Sequence, residues 1–331
     1  MKKEDFLHFI GIDISKDTFD VAVLSGGEPA SFVFDNTQKG INAFLRSLRN
    51  QKMSLAQCLI CTEHTGVYGR LLIAKLVEKN AFLCVEMSLR IIRSLGIRRG
   101  KTDRIDAIRI AEYAQKNVEE LEVYEPLPEV LEKVRILLTV RERLVKNRAD
   151  LNKYPNELKR FAPELAKLAQ QNIKKTSATL TAEIKRIEAE MQALVLSDDR
   201  LNRTVGLATS VPGIGKITAL QLTIYTNFFT RYENPRQLAC YCGVVPFEHS
   251  SGTSILKRAR VNNMANKNLK RQLHLCALAA KTYDPEMKSY FKRKVEEGKS
   301  KMLVINNIRN KLVHRVCAVI KRQEPYVKMT A

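Results

Sequence analysis

The chain has 331 residues, of which 45% are hydrophobic, so it is long enough for two or three domains with buried cores. Its net charge of +21 is larger than the surface of an ordinary globular protein carries. It therefore predicts a polyanionic partner, with nucleic acid as the first candidate. We find no apolar run long enough to span a bilayer and no apolar signal region at the N-terminus. These features predict a cytoplasmic protein with no membrane partner.

The cysteines indicate neither a disulfide framework nor a zinc site. There are seven of them, an odd number spread over a long chain. Two close pairs, Cys58 with Cys61 and Cys240 with Cys242, lie far apart in the sequence, and no histidine spacing supports a zinc site. Buried free thiols are the favoured interpretation.

The first predicted element is a β-hairpin over residues 9–24. Its first half is largely apolar, and its second half alternates apolar and polar residues, as a half-buried strand does. Gly11 would let another backbone approach closely. Asp13 stands among apolar strand residues, where a carboxylate is costly to bury unless it is paired or binds a cation. The alternative is that Asp13 ends the strand and begins a turn.

The next elements predict an α/β layer. After the hairpin, the order is a strand (30–34), a helix (37–50), a buried strand (56–62), a helix (67–79) and a strand (82–87). This β-β-β-α-β-α-β order predicts a mixed sheet.

A basic stretch then leads to Thr102, the predicted N-cap of a helix that ends near Lys116. Asp103 and Asp106 would lie on one face of that helix. A divalent cation would relieve the repulsion between them, although acidic residues also favour a first helical turn without any ligand.

The remaining chain is predicted to be mainly helical. Pro126 and Pro128 mark a boundary, and the apolar stripes beyond them predict a helical hairpin or coiled coil that is broken at Pro155 and Pro163. We therefore predict three domains, with bounds 1–125, 126–197 and 198–331.

The last domain carries most of the excess charge. Residues 251–331 contain 19 Lys and Arg against 5 Asp and Glu. The pattern predicts a polar loop at His249–Ser254, followed by basic helices near 257–271 and 288–301 that contact phosphates. The Val-Pro-Gly-Ile-Gly-Lys216 turn would also bring backbone N–H groups to a phosphate, or else be an ordinary helix corner. The predicted nucleic-acid-binding residues are Arg98, Arg99, Lys101, Lys216, Lys257, Arg258, Arg260, Lys267, Lys270 and Arg271.

Four carboxylates in the first domain suit a site for Mg2+. They come from distant segments and are Asp13, Glu63, Asp103 and Asp106. Hard divalent cations prefer oxygen ligands, and two such ions can stabilise both the attacking and the leaving oxygen of a phosphodiester. Spacing alone does not establish that the fold brings these acids together.

The motifs as a set resemble the DEDD-type insertion-sequence transposases, the insertion-sequence one-ten family that includes relatives of the pilin-gene invertase. The N-terminal motifs are Gly-Ile-Asp13-Ile-Ser-Lys-Asp-Thr-Phe-Asp-Val, Glu63-His-Thr-Gly and Lys-Thr-Asp103-Arg-Ile-Asp106-Ala. The C-terminal motifs are Val-Pro-Gly-Ile-Gly, Gln-Leu-Ala-Cys-Tyr-Cys-Gly-Val-Val-Pro, and Ser251-Gly-Thr-Ser followed by Lys-Arg-Ala-Arg. The resemblance covers nearly the whole chain.

The resemblance implies a fold of class α/β plus all-α. It would comprise a RuvC-like, RNase H-type domain with a mixed sheet, a helical or coiled-coil connector and a mainly helical C-terminal transposase domain. It places the Mg2+ or Mn2+ ligands on Asp13, Glu63, Asp103 and Asp106, and the nucleophile on Ser251. His64 departs from the family, which usually has a small residue there. His249 would be a tempting base, but nothing in the sequence fixes its geometry.

The resemblance also implies the partners of the protein. It would be a bacterial or archaeal recombinase, associated with the nucleoid when active, acting on the DNA of element ends and targets. A bridge-type guide RNA would direct it, and homodimers would pair into tetramers.

Three other interpretations stay open. A junction nuclease on the same fold would use water rather than serine as its nucleophile. An actin-like sugar kinase or ATPase can also contain Gly-Ile-Asp, although the charge and the lack of an obvious second glycine-rich phosphate loop speak against it. A basic nucleic-acid-binding protein without catalysis would use its acids only to balance arginines.

Overall fold

The computed structural model describes residues 1–96, 102–251, 255–261 and 264–327. For Leu95, residues 247–251 and residues 255–260 it describes the backbone alone. The chain forms two compact units, Met1–Pro126 and Leu127–Ala331. A further division of the second unit at residue 197 stays a prediction.

The first unit is built on a mixed sheet. In the part of the chain that the structure describes, its elements are β1 (His8–Ile14), β2 (Thr18–Leu24), β3 (Ala30–Asp35), α1 (Gln38–Asn50), β4 (Cys58–Glu63), α2 (Arg70–Glu78), β5 (Phe82–Glu86), α3 (Ser88–Leu95) and α4 (Asp103–Lys116). The five strands lie in the order β3-β2-β1-β4-β5. β1 is antiparallel to β2 and parallel to β4, and β4 is parallel to β5. The predicted element order and mixed sheet are confirmed.

The two faces of the sheet pack against different helices because successive strand residues point to opposite sides. On one face Ile10, Ile12 and Ile60 pack against α1 and α2. On the other face Phe9, Cys61 and Cys84 pack against α3 and α4. The unit therefore has three layers, with the sheet between two pairs of helices.

Gly11 makes the contact between β1 and α4 possible. A Cβ atom at this position would lie 2.1 Å from the Ala107 carbonyl oxygen and 2.3 Å from the Ala111 nitrogen. Only glycine permits so close an approach of two backbones. The close approach predicted at Gly11 is confirmed, and it brings the first turn of α4 towards the carboxyl end of β1.

The second unit is mainly helical. Its described elements are α5 (Glu129–Phe161), α6 (Pro163–Leu196), α7 (Asp199–Thr209), α8 (Lys216–Tyr225), α9 (Pro235–Tyr241), β6 (Phe247–Ser251), β7 (Ile255–Arg260), α10 (Lys267–Tyr283), α11 (Pro285–Glu296) and α12 (Lys301–Arg322). Residues from both long helices, including Leu131, Val134, Ile187 and Met191, share one core with α7–α12. Among the described residues, no helix combines the length and the apolar character needed to cross a bilayer.

Two predictions for the second unit are wrong. Pro155 does not break the helix, since α5 continues through it to Phe161 with Pro155 buried. A proline inside a helix costs about 3 kcal/mol, and the packing of α5 along α6 outweighs that loss. Pro163 does mark a break, because it occupies the first turn of α6.

The second correction concerns the expected polar loop at 249–254 and the expected basic helix from 257. Residues 247–251 and 255–260 instead form two antiparallel strands, and the helix begins only at Lys267. Residues 252–254 of the predicted loop lie outside the described residues. Backbone pairing across a hairpin needs no apolar stripe, so the polar composition of this segment concealed it.

Candidate active site

Asp13 lies near the carboxyl end of β1, the central strand of the sheet. It shares a face with Gly11, two residues earlier, and that face packs against α4. Its side chain is half-buried. Parallel strands end at the same edge of a sheet, so Glu63 at the end of β4 comes beside Asp13, one residue beyond the last aligned pair of β1 and β4.

The first turn of α4 supplies two more carboxylates. Thr102 is the N-cap, and its side chain accepts a hydrogen bond from the Ile105 backbone N–H, as predicted. Asp103 and Asp106 occupy the turn that follows. Asp106 also receives a hydrogen bond from Arg109 Nη1 at 2.9 Å, with both side chains largely buried.

Glu63 is fixed by a residue that the sequence did not suggest. Ser88 is the first residue of α3, and its hydroxyl donates to Glu63 Oε2 at 2.5 Å. A hydrogen bond to an ionised carboxylate is short and strong, so it restricts the orientation of Glu63. No sequence motif marks Ser88, because β5 separates it from Glu63 in the chain.

The sheet also places two carboxylates beside the site that were not among the four predicted metal ligands. Asp20 on β2 pairs directly with Asp13, and Glu86 on β5 pairs directly with Glu63. Four acids therefore form one row across four adjacent strands. The signal for Asp20 was its alternation with apolar neighbours, but only the register of the hairpin places it opposite Asp13. Glu86 accepts hydrogen bonds from Arg90.

These negative charges act on one another. Burial, followed by the charges of Glu63, Asp103, Asp106 and Asp20, raises the pKa of the Asp13 carboxyl from 3.8 to about 6. Burial and the charge of Asp103 also raise the pKa of Asp20. The described charges that act on Asp13 here are all negative, and each makes its ionised form less favourable. The structure thus brings all four predicted acids into electrostatic contact.

A divalent cation fits this donor set by its chemistry. The donors are hard carboxylate oxygens, and a cation would reverse the repulsion that raises the pKa of Asp13. In the described residues no three His, Cys, Asp or Glu side chains are close enough together to hold a metal ion as they stand. Ser88 and Arg109 each engage one oxygen, on Glu63 and Asp106 respectively, and the second oxygen of each carboxylate can serve as a ligand.

Ser251 lies in the second unit, at the last position of β6. Its backbone pairs with Ile255 across the hairpin. Two hydrogen bonds hold the segment before β6. The Asn306 side chain donates to the Val244 carbonyl at 2.8 Å, and the Asn266 backbone N–H donates to the Tyr241 carbonyl at 2.7 Å. The side chains of Ser251 and His249 are outside what the structure describes.

The predicted nucleic-acid-binding residues fall into three groups. Arg98, Arg99 and Lys101 lie outside the described residues. Lys257, Arg258 and Arg260 lie on β7, where only the backbone is described. The third group lies at the starts of two helices. Lys216 begins α8 and donates to Gln192 at 3.0 Å, while Lys267, Lys270 and Arg271 lie in the first turns of α10.

The structure shows the positions of His64 and of the cysteines, for which the sequence left more than one interpretation. His64 is exposed, and its backbone N–H donates to the Glu86 carbonyl, which extends the pairing of β4 with β5. All seven cysteines are free thiols. Burial raises the pKa of Cys58 to about 11 and that of Cys84 to about 12, so these thiols are protonated at neutral pH.

Comparison with known proteins matches both units to transposases. A family profile described as "Transposase" matches residues 10–163, and one described as "Transposase IS116/IS110/IS902 family" matches residues 206–292. The chain is 27% identical over 325 residues to the pilin gene-inverting protein of Moraxella bovis, covering 97% of this chain and 98% of that protein. It is 24% identical over 254 residues to the transposase for insertion sequence element IS1111A of Coxiella burnetii, covering 70% and 69%.

Proposed function

The chain belongs to the IS116/IS110/IS902 family of transposases, with the activity of a DNA transposase or recombinase, and on that premise we propose how it acts. It cuts and rejoins DNA strands through a covalent phosphoserine at Ser251. The carboxylates of Asp13, Glu63, Asp103 and Asp106 assist by holding Mg2+ or Mn2+. The observation that carries the proposal is that Glu63 on β4 and Asp103 and Asp106 on α4 all act on the Asp13 carboxyl.

The topology of the first unit supports a RuvC-like, RNase H-type domain. The strand order β3-β2-β1-β4-β5 has antiparallel pairing on one side of β1 and parallel pairing on the other. The acids lie where the central parallel strands end, and α4 crosses that face at Gly11. Ligand sites in open α/β sheets are typically found at the carboxyl ends of the strands.

The chemical step conserves the energy of the phosphodiester. The Ser251 hydroxyl oxygen attacks phosphorus, a phosphoserine ester forms, and one ester bond from phosphorus to a sugar oxygen breaks. The released sugar hydroxyl gains a proton, and the serine hydroxyl loses one. Reversal of this step with another strand rejoins DNA without ATP. A bound divalent cation would neutralise phosphate charge and lower the pKa of the hydroxyl.

The residues of the chain have separate parts in this mechanism. Ser88 and Arg109 orient Glu63 and Asp106 before any ligand arrives. Preorganised donors of this kind reduce the reorganisation needed when the substrate binds. Asp13, one of the two inner members of the acid row, carries a carboxyl whose pKa is raised and which a bound cation would stabilise in its ionised form.

The proposal includes the partners that the family resemblance implies. A bridge-type guide RNA directs the enzyme to element ends and target DNA, and homodimers pair into tetramers. The net charge of +21 supports the binding of two nucleic acids.

A denaturing-gel assay tests the proposal. Labelled element-junction DNA, Mg2+ and co-expressed flanking RNA are incubated with wild type, Ser251→Ala, Asp13→Ala and the control Ser250→Ala. We expect a denaturation-resistant protein–DNA adduct with wild type and Ser250→Ala, and none with the other two variants. Cleavage without an adduct would instead indicate a nuclease that uses water. Normal recombination by Ser251→Ala would refute serine as the nucleophile.

A further inference from the structure

Arg309 is a buried cation without an acidic partner in the described part of the chain. Its side chain, on α12, is only 7% exposed. Nη2 lies 2.6 Å from Nδ1 of His274 on α10, and the buried Nε has no hydrogen-bond partner among the described residues. Buried charges are costly unless they are paired. Burial accordingly lowers the pKa of Arg309, and an anion brought by a ligand would supply the missing partner.

A second arginine on the same helix shows the usual arrangement. Arg315 lies six residues later and is also largely buried. It donates to Asp284 at 2.9 Å and contacts Glu286 at 2.5 Å. The two arginines therefore share a helix and a similar degree of burial but differ in their partners. Arg315 has the acids expected of a structural ion pair, whereas no described acid pairs with Arg309.

His274 gives the site a second donor. An arginine can only donate hydrogen bonds, so His274 Nδ1 must accept from Arg309. The ring then carries its proton on Nε2, which becomes a donor. Burial and the charge of Arg309 lower the pKa of His274, in agreement with a neutral ring. His274 is the partly exposed member of the pair, so a ligand approaches from its side.

Arg309 and His274 lie near the segment that leads into β6, the strand that carries Ser251. Asn306, one turn before Arg309, donates to the carbonyl of Val244, three residues before β6. Lys270, one turn before His274, lies against Gly243, the residue before Val244, since a Cβ atom at Gly243 would be 3.3 Å from Lys270 Cδ. A phosphate bound here would therefore be close to the start of β6.

We propose that Arg309 and His274 bind one backbone phosphate of the substrate DNA, with Lys270 as an additional cationic contact. The guanidinium group suits phosphate because its planar donors match two phosphate oxygens. The proposal rests on the proposed function, since it requires the second unit to bind DNA. It adds to the second unit a phosphate-positioning site near the start of β6, which is built from other residues than the acids of the first unit.

The first test measures how the affinity for a labelled double-stranded oligonucleotide depends on salt. Arg309→Met should lower the slope of log affinity against log salt by about 0.9, the value for one phosphate contact. Its melting temperature without DNA should be unchanged or higher, because an unpaired buried cation has been removed. The matched control, Arg315→Met, should melt at a lower temperature and keep the wild-type slope.

His274→Asn is the second variant, because the asparagine Oδ1 can replace Nδ1 as an acceptor for Arg309, whereas the shorter side chain has no donor at the position of the imidazole Nε2. We expect its DNA affinity to fall about tenfold with the fold intact. A wild-type slope in Arg309→Met, or wild-type affinity in His274→Asn, would overturn the inference. If the affinity of the wild type itself were independent of salt, the proposed function would fail instead.

Methylphosphonate substitution then locates the contact. One phosphate at a time is made neutral in the oligonucleotide, and binding is compared between wild type and Arg309→Met. We expect a position where neutralisation weakens the wild type and leaves the variant unaffected. Equal losses at every position in both proteins would overturn the inference.

Discussion

The Ala107 carbonyl oxygen on α4 lies so close to Gly11 on β1 that a Cβ atom at position 11 would approach it to 2.1 Å. Gly11→Ala must therefore displace α4, whose first turn carries Asp103 and Asp106. We expect a loss of about 3 kcal/mol or more in the free energy of unfolding, because two backbones must separate in a packed interior.

Denaturant unfolding of Gly11→Ala would measure this loss. The control is Gly27→Ala, where an added Cβ atom meets nothing within 4 Å. It should unfold within about 0.5 kcal/mol of wild type. Equal stability of the two variants would contradict the contact between β1 and α4.

The second prediction concerns the charge of Asp13 in metal-free protein. Its folded pKa of about 6 lies above the ordinary 3.8, so protonation of Asp13 stabilises the fold. That stabilisation is complete below about pH 4 and is lost as the pH rises to about 6. In EDTA, Asp13→Asn should exceed wild type in stability by about 1–2 kcal/mol at pH 7, after solvent screening is allowed for. The difference should shrink towards pH 4.

Addition of Mg2+ gives the same pair of proteins a second readout. Cation binding should raise the melting temperature of wild type, because a ligand that binds only the folded state stabilises it. Asp13→Asn should respond much less. Equal melting shifts in both proteins would contradict a metal site at Asp13.

The third prediction concerns Ser88, which holds Glu63 through a 2.5 Å hydrogen bond. Ser88→Ala should reduce metal affinity or the rate of strand cleavage by about 10–100-fold, the usual effect of losing a group that orients a metal ligand. Ser88→Thr should restore most of the loss, because it keeps the hydroxyl. Titration of Mg2+ against cleavage rate would measure both effects.

Ser94→Ala is the control for Ser88, since Ser94 lies on the same helix and, within the described residues, its hydroxyl donates to the Ile91 carbonyl rather than to an acid. We expect wild-type cleavage from it. An equally active Ser88→Ala would show that Glu63 needs no such support.

The fourth prediction concerns the start of α10. Lys267 and Arg271 are exposed and lie one turn apart. Replacing both with glutamine should flatten the salt dependence of DNA binding by up to about 1.8 in slope, at about 0.9 for each lost phosphate contact. Lys133→Gln is the control, because Glu129 already neutralises that exposed lysine. An unchanged slope in the double variant would remove α10 from the DNA-binding surface.

Local patterns predicted the first unit well, because the spacing of apolar residues in its sequence distinguishes the buried face of each strand and helix from the exposed face. The alternation after Phe19 predicted β2, and Thr102 predicted the start of α4. Gly11 was informative because it stands where an apolar side chain would otherwise be expected.

The parts that were missed depend on register or on distant packing. Asp20 faces Asp13 only through the pairing of β1 with β2, and Ser88 reaches Glu63 only because β4 and β5 are neighbours. The paired strands at 247–251 and 255–260 carry no apolar stripe, so composition alone favoured a loop. Pro155 stayed within α5 because contacts with α6 outweigh its local preference.

The row of acids across the sheet also has a consequence for mutated copies of the gene, whose products lose one of these carboxylates. Loss of the Asp13 carboxylate would remove both a proposed cation ligand and a source of repulsion, so an inactive product should fold at least as well as the active one. Its basic second unit would be untouched. A degenerate copy is therefore expected to persist as a folded competitor for the same DNA, and to repress its active sister copies.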